Sequence, residues 1–140
     1  MKEYDVAADA VETIPITTSG DVVKARQAVR TLAQRTGLSL VNQTKLVTAA
    51  SELGRNTLMY GGGGRARIAV VTQGGRTGVW ARFEDEGPGI PDLDLALTDG
   101  WTSGSGMGLG LSGARRLVDD FELESAPGKG TTVSVVKWAR

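Results

Sequence analysis

Val11, Thr13 and Pro15 alternate with Glu12, Ile14 and Ile16 ahead of a Thr18-Ser19-Gly20 break, which predicts a short strand, and its proline makes it an edge strand. From about Asp21 to Arg35, Val22, Val29 and Leu32 fall near helical spacing, with Gly37 as the stop. A second helix is expected after the N-cap Ser39 and up to about Tyr60, where four consecutive glycines end it; Leu46, Ala50, Leu53 and Tyr60 form its apolar stripe. Arg65 to Gln73 is β-branched and reads as a strand, Gly74-Gly75 as a tight turn and Gly78 to Glu84 as the antiparallel mate. In that mate Val79, Ala81 and Phe83 share a face, and the period of two carries Asp85 onto the same face as the strand ends. A third helix is predicted over Leu109 to Asp120, including Leu117 and Val118. Strand Phe121 to Ser125, the turn Pro127-Gly128-Lys129-Gly130 and strand Thr131 to Trp138 follow. The pattern contains no internal repeat and no linker. It predicts one domain over residues 1–140, an α+β two-layer sandwich with a mixed, mainly antiparallel sheet and helices on one face.

Composition narrows the chemistry. The 140 residues, 40% hydrophobic, suffice for one ordinary core, and 16 basic against 16 acidic residues exclude the footprint of a general nucleic-acid binder. With no cysteine and no histidine, catalysis has to run on carboxylates, amides, hydroxyls and backbone. The acidic start Met1-Lys2-Glu3-Tyr4-Asp5 and the lack of a long apolar run lead us to expect a soluble, cytoplasmic protein that does not engage a membrane. Glycine is used 20 times, against a usual share of about 7%, and gathers in clusters separated by periodic segments.

Three clusters carry candidate chemistry. In Ser51-Glu52-Leu53-Gly54-Arg55-Asn56, Glu52 and Asn56 project on one helix face. An amide oxygen is a neutral ligand for Mg²⁺, and a carboxylate one turn away is placed to orient or deprotonate an attacking hydroxyl; in isolation the same pair is also an ordinary solvated one. In Asp85-Glu86-Gly87-Pro88-Gly89-Ile90, Asp85 can accept from an exocyclic amine such as that of adenine, while Gly87 and Gly89 let backbone approach a flat ring; taken alone it reads first as an acidic turn after a strand. In Gly104-Ser105-Gly106-Met107-Gly108-Leu109-Gly110-Leu111, alternate glycines free successive N–H groups to face an anion, although a surface loop is the other reading. This run is neither a Walker A loop nor a Rossmann fingerprint.

In this order and at these separations the three clusters resemble the N, G1 and G2 boxes of the GHKL (Bergerat-fold) ATPases, the superfamily of gyrase B, heat-shock protein 90, MutL and the histidine kinases. The resemblance runs from about Thr13 to Trp138, and Gly130-Thr131 falls where the superfamily has a strand threonine near the adenine. A histidine kinase would need a phosphoacceptor histidine, which this sequence lacks, and gyrase B relatives complete their site with a lysine from a following domain, for which no sequence is left. The chain is most similar to the switch-protein serine/threonine kinases of bacterial partner switching, in the RsbT type. Arg55 before Asn56, Ala96-Leu97-Thr98-Asp99-Gly100 and Val136-Lys137-Trp138 carry that likeness, while Met107 and Ser112 depart from it in the lid.

The resemblance implies ATP between the second helix and a lid of Gly104, Ser105, Gly106, Met107, Gly108, Leu109 and Gly110. Asp85 would read the adenine beside Gly87, Gly89, Ile90 and Thr131, Asn56 would hold Mg²⁺, and Glu52 would be the general base. It implies STAS-domain protein substrates and a regulatory phosphatase as partners. An anti-sigma factor of the same fold, or an ATP-dependent binding module without transfer activity, stands as the alternative; retention of Glu52 argues against the pure binder.

Overall fold

The computed structural model describes residues 5–6, 10–89 and 110–139. Their elements are β1 (Asp5–Val6), β2 (Glu12–Ile16), α1 (Ser19–Arg35), α2 (Leu40–Met59), β3 (Gly64–Gln73), β4 (Arg76–Asp85), α3 (Gly110–Arg116), β5 (Asp120–Ser125) and β6 (Thr131–Trp138). The sheet runs β1-β3-β4-β6-β5, with β2 also on the outer side of β3, and every described pairing is antiparallel. Pro15 therefore lies on an edge strand opposite Arg65, where its missing N–H breaks no interior ladder.

Strand alternation separates two apolar clusters. Ile14, Ile16, Ala66, Ile68, Val79, Ala81, Phe83, Val133 and Val135 meet Val22, Ala25 and Val29 of α1 and Leu46, Ala50 and Leu53 of α2 in the main core. The opposite face holds a smaller cluster of Ala69, Val71, Trp80, Val136 and Trp138 that the sequence pattern alone had not suggested. Arg76 stands 4.1 Å above the Trp138 ring and Arg82 5.2 Å from that of Trp80, so guanidinium groups cover both indoles.

Helix ends follow local chemistry. The Thr18-Ser19-Gly20 break is the start of α1, which begins two residues before the predicted Asp21: Asp21 N–H donates to Thr18 Oγ1 (3.2 Å) and Thr18 N–H to Asp21 Oδ2 (3.1 Å). Ser39 caps α2 by accepting from Asn42 N–H. Tyr60, placed on the apolar stripe by sequence, is the C-cap and is 38% exposed; Thr57, one turn earlier, is buried instead. The third helix stops at Arg116, not Asp120, because sheet pairing wins: Asp119 N–H already donates to the Val136 carbonyl, and Asp120 opens β5. Leu117 and Val118 still pack on the main core. No helix among the described residues is long and apolar enough to cross a membrane.

Asp119 ties β6 down. Its Oδ2 accepts the Trp138 backbone N–H at 2.8 Å, and Oδ1 lies 3.4 Å from Lys137 Nζ, whose side chain is only 9% exposed. Asp119→Ala leaves that ammonium without its counter-charge, and urea unfolding is expected to show a loss of about 2–3 kcal/mol, with Asp119→Asn costing less because it keeps an acceptor.

The α1 N-terminus makes stability pH-dependent. The Thr17 N–H, then its hydroxyl, with Thr18 adding to them, hold the Asp21 carboxyl below its ordinary value. A pKa lower in the folded than in the unfolded chain contributes stability above the unfolded value, and that contribution disappears as pH falls through the folded one. Asp21→Asn is therefore expected to destabilise at pH 7, with the gap to the parent closing in strong acid; a gap of equal size at both extremes would rule this origin out.

Candidate functional site

The site grows from the end of β4. Asp85 is paired with Gly64 of β3 on one side and Thr131 of β6 on the other, and strand alternation keeps it on the Phe83 face, under the helices. Its Oδ1 accepts the Gly87 N–H at 2.9 Å, an Asx turn that closes the strand. Thr131 Oγ1 sits 2.9 Å from Ser125 Oγ, which also donates to the Gly130 carbonyl at 3.0 Å. Ser125 was not among the residues chosen from sequence; only the β5–β6 register brings it opposite Thr131.

Backbone crowds this corner. A Cβ on Gly87 would fall 2.7 Å from Gly61 Cα, one on Gly89 2.7 Å from the Ala126 carbonyl carbon, and one on Gly130 2.9 Å from Glu86 Cα. The glycines of the Asp85 loop, expected from sequence to give room beside a flat ring, thus also serve contacts between protein backbones. Pro88 C=O accepts from Gly128 N–H at 2.7 Å, so this loop is clasped to the turn between β5 and β6.

The second part of the site is α2. Glu52 and Asn56 are both partly buried, and the Glu52 carboxylate lies 3.8 Å from Arg55 Nη1 with its side chain 14% exposed. The Asn56 carbonyl accepts from both Tyr60 N–H (2.9 Å) and Gly61 N–H (3.2 Å). Gly61 in turn abuts the Asp85 carboxylate, so one residue joins the end of α2 to the end of β4. Among the described residues no group of three or more His, Cys, Asp or Glu side chains is arranged to hold a metal. A divalent cation here would depend on phosphate oxygens and water beyond a single amide, which is how Mg²⁺ is commonly held.

A crevice of about 380 Å³ opens beside Asp85, along Gly61 to Gly64, Arg65, Glu84 and Thr132. Glu84 and Thr132 point to the outer sheet face, and Asp85 and Glu86 line the crevice while Glu52 and Asn56 do not, so it takes in the strand end of the motif cluster and not its helix. At its edge Arg65 Nε donates to Glu84 Oε1 (3.1 Å). Arg67 Nε reaches the same oxygen at 3.0 Å, an ion pair whose angle is not that of a hydrogen bond.

Of the residues chosen from sequence, Asp85, Gly87, Gly89 and Thr131 are brought together at one corner. Glu52 and Asn56 stand on α2, and Gly110 opens α3 with φ 69°. Ile90 and the run Gly104 to Leu109 lie outside the described residues. Ser112, read from sequence as part of the lid, is instead buried within α3.

Residues 41–139 match the model of the histidine kinase-, DNA gyrase B-, and HSP90-like ATPase family. The chain is 42% identical over 127 residues to the serine/threonine-protein kinase RsbT of Bacillus subtilis, covering 91% of this chain and 96% of that one. It is 31% identical over 101 residues to the anti-sigma F factor of Bacillus licheniformis, covering 67% and 68%. Among solved structures, the RsbU and RsbW domains of a Mycobacterium tuberculosis protein superpose with a TM-score of 0.60 at 18% identity, over 99% of this chain and 33% of that one, a likeness of fold. The three motifs, the antiparallel sheet under its helices and these matches agree: the chain belongs to the histidine kinase-, DNA gyrase B-, and HSP90-like ATPase family, in the group that includes RsbT.

Proposed function

We propose that residues 1–140 act as one ATP-dependent serine/threonine protein kinase domain of a bacterial partner-switching stress response. The observation that carries this reading is the corner where Asp85, in register with Thr131, meets the end of the helix bearing Glu52 and Asn56 through Gly61. The extent of the likeness to RsbT supports it.

In this reading Asp85 accepts the adenine amine through the carboxylate oxygen that Gly87 does not occupy, and Thr131 lies beside it. Asn56 holds Mg²⁺, which supplies charge neutralisation on the phosphates. Gly87, Gly89 and Ile90 line the base side, and Gly104 to Gly110 close over the triphosphate. Glu52 takes the proton of a serine or threonine hydroxyl on the partner. As that oxygen bonds to the γ-phosphorus, the bond to the bridging β,γ-oxygen breaks and ADP leaves. Such transfer asks mainly for positioning and charge neutralisation.

The acceptor is a small STAS-domain protein, and phosphorylation adds about two negative charges that weaken its complex with the kinase. The released kinase then binds and activates a phosphatase in the cytoplasm. The similarity to anti-sigma F factors supports one second reading, direct binding of a sigma factor. Co-purification of a sigma factor in place of STAS proteins would select it.

Glu52→Gln keeps the side chain's shape and removes the base. Transfer of labelled phosphate to a STAS partner is expected to fall about 10²- to 10⁴-fold with ATP binding retained, and an unchanged transfer rate would remove Glu52 from the mechanism.

Asn56→Ala is expected to lower Mg²⁺-dependent ATP affinity at least about tenfold by calorimetry, equal to about 1.4 kcal/mol, without loss of fold. The same affinity with Mg²⁺ present would refute the metal role.

A further inference from the structure

We infer that Gly61, the first of the four glycines after α2, is a positioning residue: the absence of its side chain fixes where the Asp85 carboxylate points. The inference rests on the nucleotide-binding reading of Asp85 and adds a residue that none of the three motifs contains.

Gly61 is held from both sides. Its N–H donates to the Asn56 carbonyl at 3.2 Å, which anchors it to the last turn of α2, and its backbone is the surface on which Gly87 packs. Gly87 in turn donates its N–H to Asp85 Oδ1 at 2.9 Å. Asp85, Gly87 and Gly61 therefore close a ring of contacts in which the carboxylate is gripped by a hydrogen bond on one oxygen and by bare backbone against the rest of the group.

A Cβ on Gly61 would lie 2.6 Å from Asp85 Cβ and closer still to the carboxyl carbon and Oδ2. Atoms at that separation cannot coexist, so one group has to yield. The neighbouring glycines differ in what they meet: a Cβ on Gly64 would strike the Glu84 carbonyl, one on Gly89 the Ala126 carbonyl and one on Gly130 the Asp85 carbonyl, all main chain. At Gly61 every atom in the way belongs to the Asp85 side chain: the carboxyl carbon and Oδ2 can turn aside about χ1, and the contact with Asp85 Cβ, which no rotation moves, needs a small shift of the chain as well. Gly61 is also outside the set of glycines with positive φ, so alanine there meets no backbone penalty. The steric demand of any larger residue thus falls on the Asp85 side chain, and its closest contacts are with the carboxylate atoms.

The experiment compares Gly61→Ala with the parent and with Gly20→Ala, a control whose Cβ would meet only Thr18 Oγ1 at 3.6 Å. Binding of ATP and GTP is measured by calorimetry in each, alongside thermal unfolding. Gly61→Ala is expected to lose at least about tenfold in ATP affinity while GTP affinity changes little, so that the ATP preference narrows, and Gly20→Ala is expected to bind as the parent does. A parent that prefers ATP, with a folded Gly61→Ala variant that keeps the preference, overturns the inference and leaves the reading of Asp85 intact. A parent that binds both nucleotides alike overturns both. If Gly61→Ala fails to fold, Asp85→Gly is added to it, removing the atoms in its way. Recovery of folding in the double variant supports the inference, and failure to recover shows that Gly61 is needed for something other than the Asp85 side chain.

Discussion

The structure depends on β4 being an interior strand with a single permitted register. It is hydrogen-bonded to β3 along one edge and to β6 along the other, and one face is covered by α1 and α2. Val79, Ala81 and Phe83 enter the main core while Trp80 lies in the opposite cluster. A slip of one residue would send Trp80 and Arg82 toward the helices and expose Phe83, so the core enforces the register. Asp85 inherits its place from that constraint. Core packing at Phe83 thereby sets which side of the sheet presents the carboxylate.

The two ends of the sheet are built differently. At the Trp138 end, Asp119 and Asp120 hold the last strand through the Trp138 backbone N–H and indole N–H, with Arg76 over the ring. At the Asp85 end, glycine backbone from the end of α2, from the loop after β4 and from the turn before β6 converges with almost no side chains between. Charge-assisted contacts and a large aromatic suit an end that only has to hold the strands together. Bare backbone suits an end where main chains approach closely, and it accounts for glycine at Gly61, Gly64, Gly87, Gly89 and Gly130.

This arrangement also relates the chain to its family. Glu52 and Asn56 are one turn apart on a helix, whereas Asp85 and Thr131 are neighbours on adjacent strands. Among the described residues, the end of α2 runs through Gly61 directly into β3, and β3 is hydrogen-bonded to β4. In the proposed kinase reading, the nucleotide base is bound by the sheet and the phosphates by the helix, and the alignment of the two is set by how that short connection packs. The identity to RsbT over nearly the whole chain is in keeping with a geometry that depends on contacts spread along it.

The elements and the kinship can be read from local signals along the chain. Apolar periodicity marked α1 and α2, Ser39 marked a cap, and β-branched runs around Gly74-Gly75 marked the β3–β4 hairpin, because each of these signals is local. The motif spacing was also local enough to show the ATPase family and to single out Glu52, Asn56, Asp85 and Thr131. Tertiary structure decided what depends on partners distant in the chain. It ended α3 at Arg116 because Asp119 pairs with Val136, and it left Tyr60 exposed at a helix end. It also gathered Trp80 and Trp138 into a second cluster, set Ser125 against Thr131, and pressed Gly61 onto Asp85. A glycine that only ends a helix and one whose missing Cβ leaves room for a carboxylate are the same letter in a sequence. What separates them is the atom on the far side, and only the packed chain supplies it.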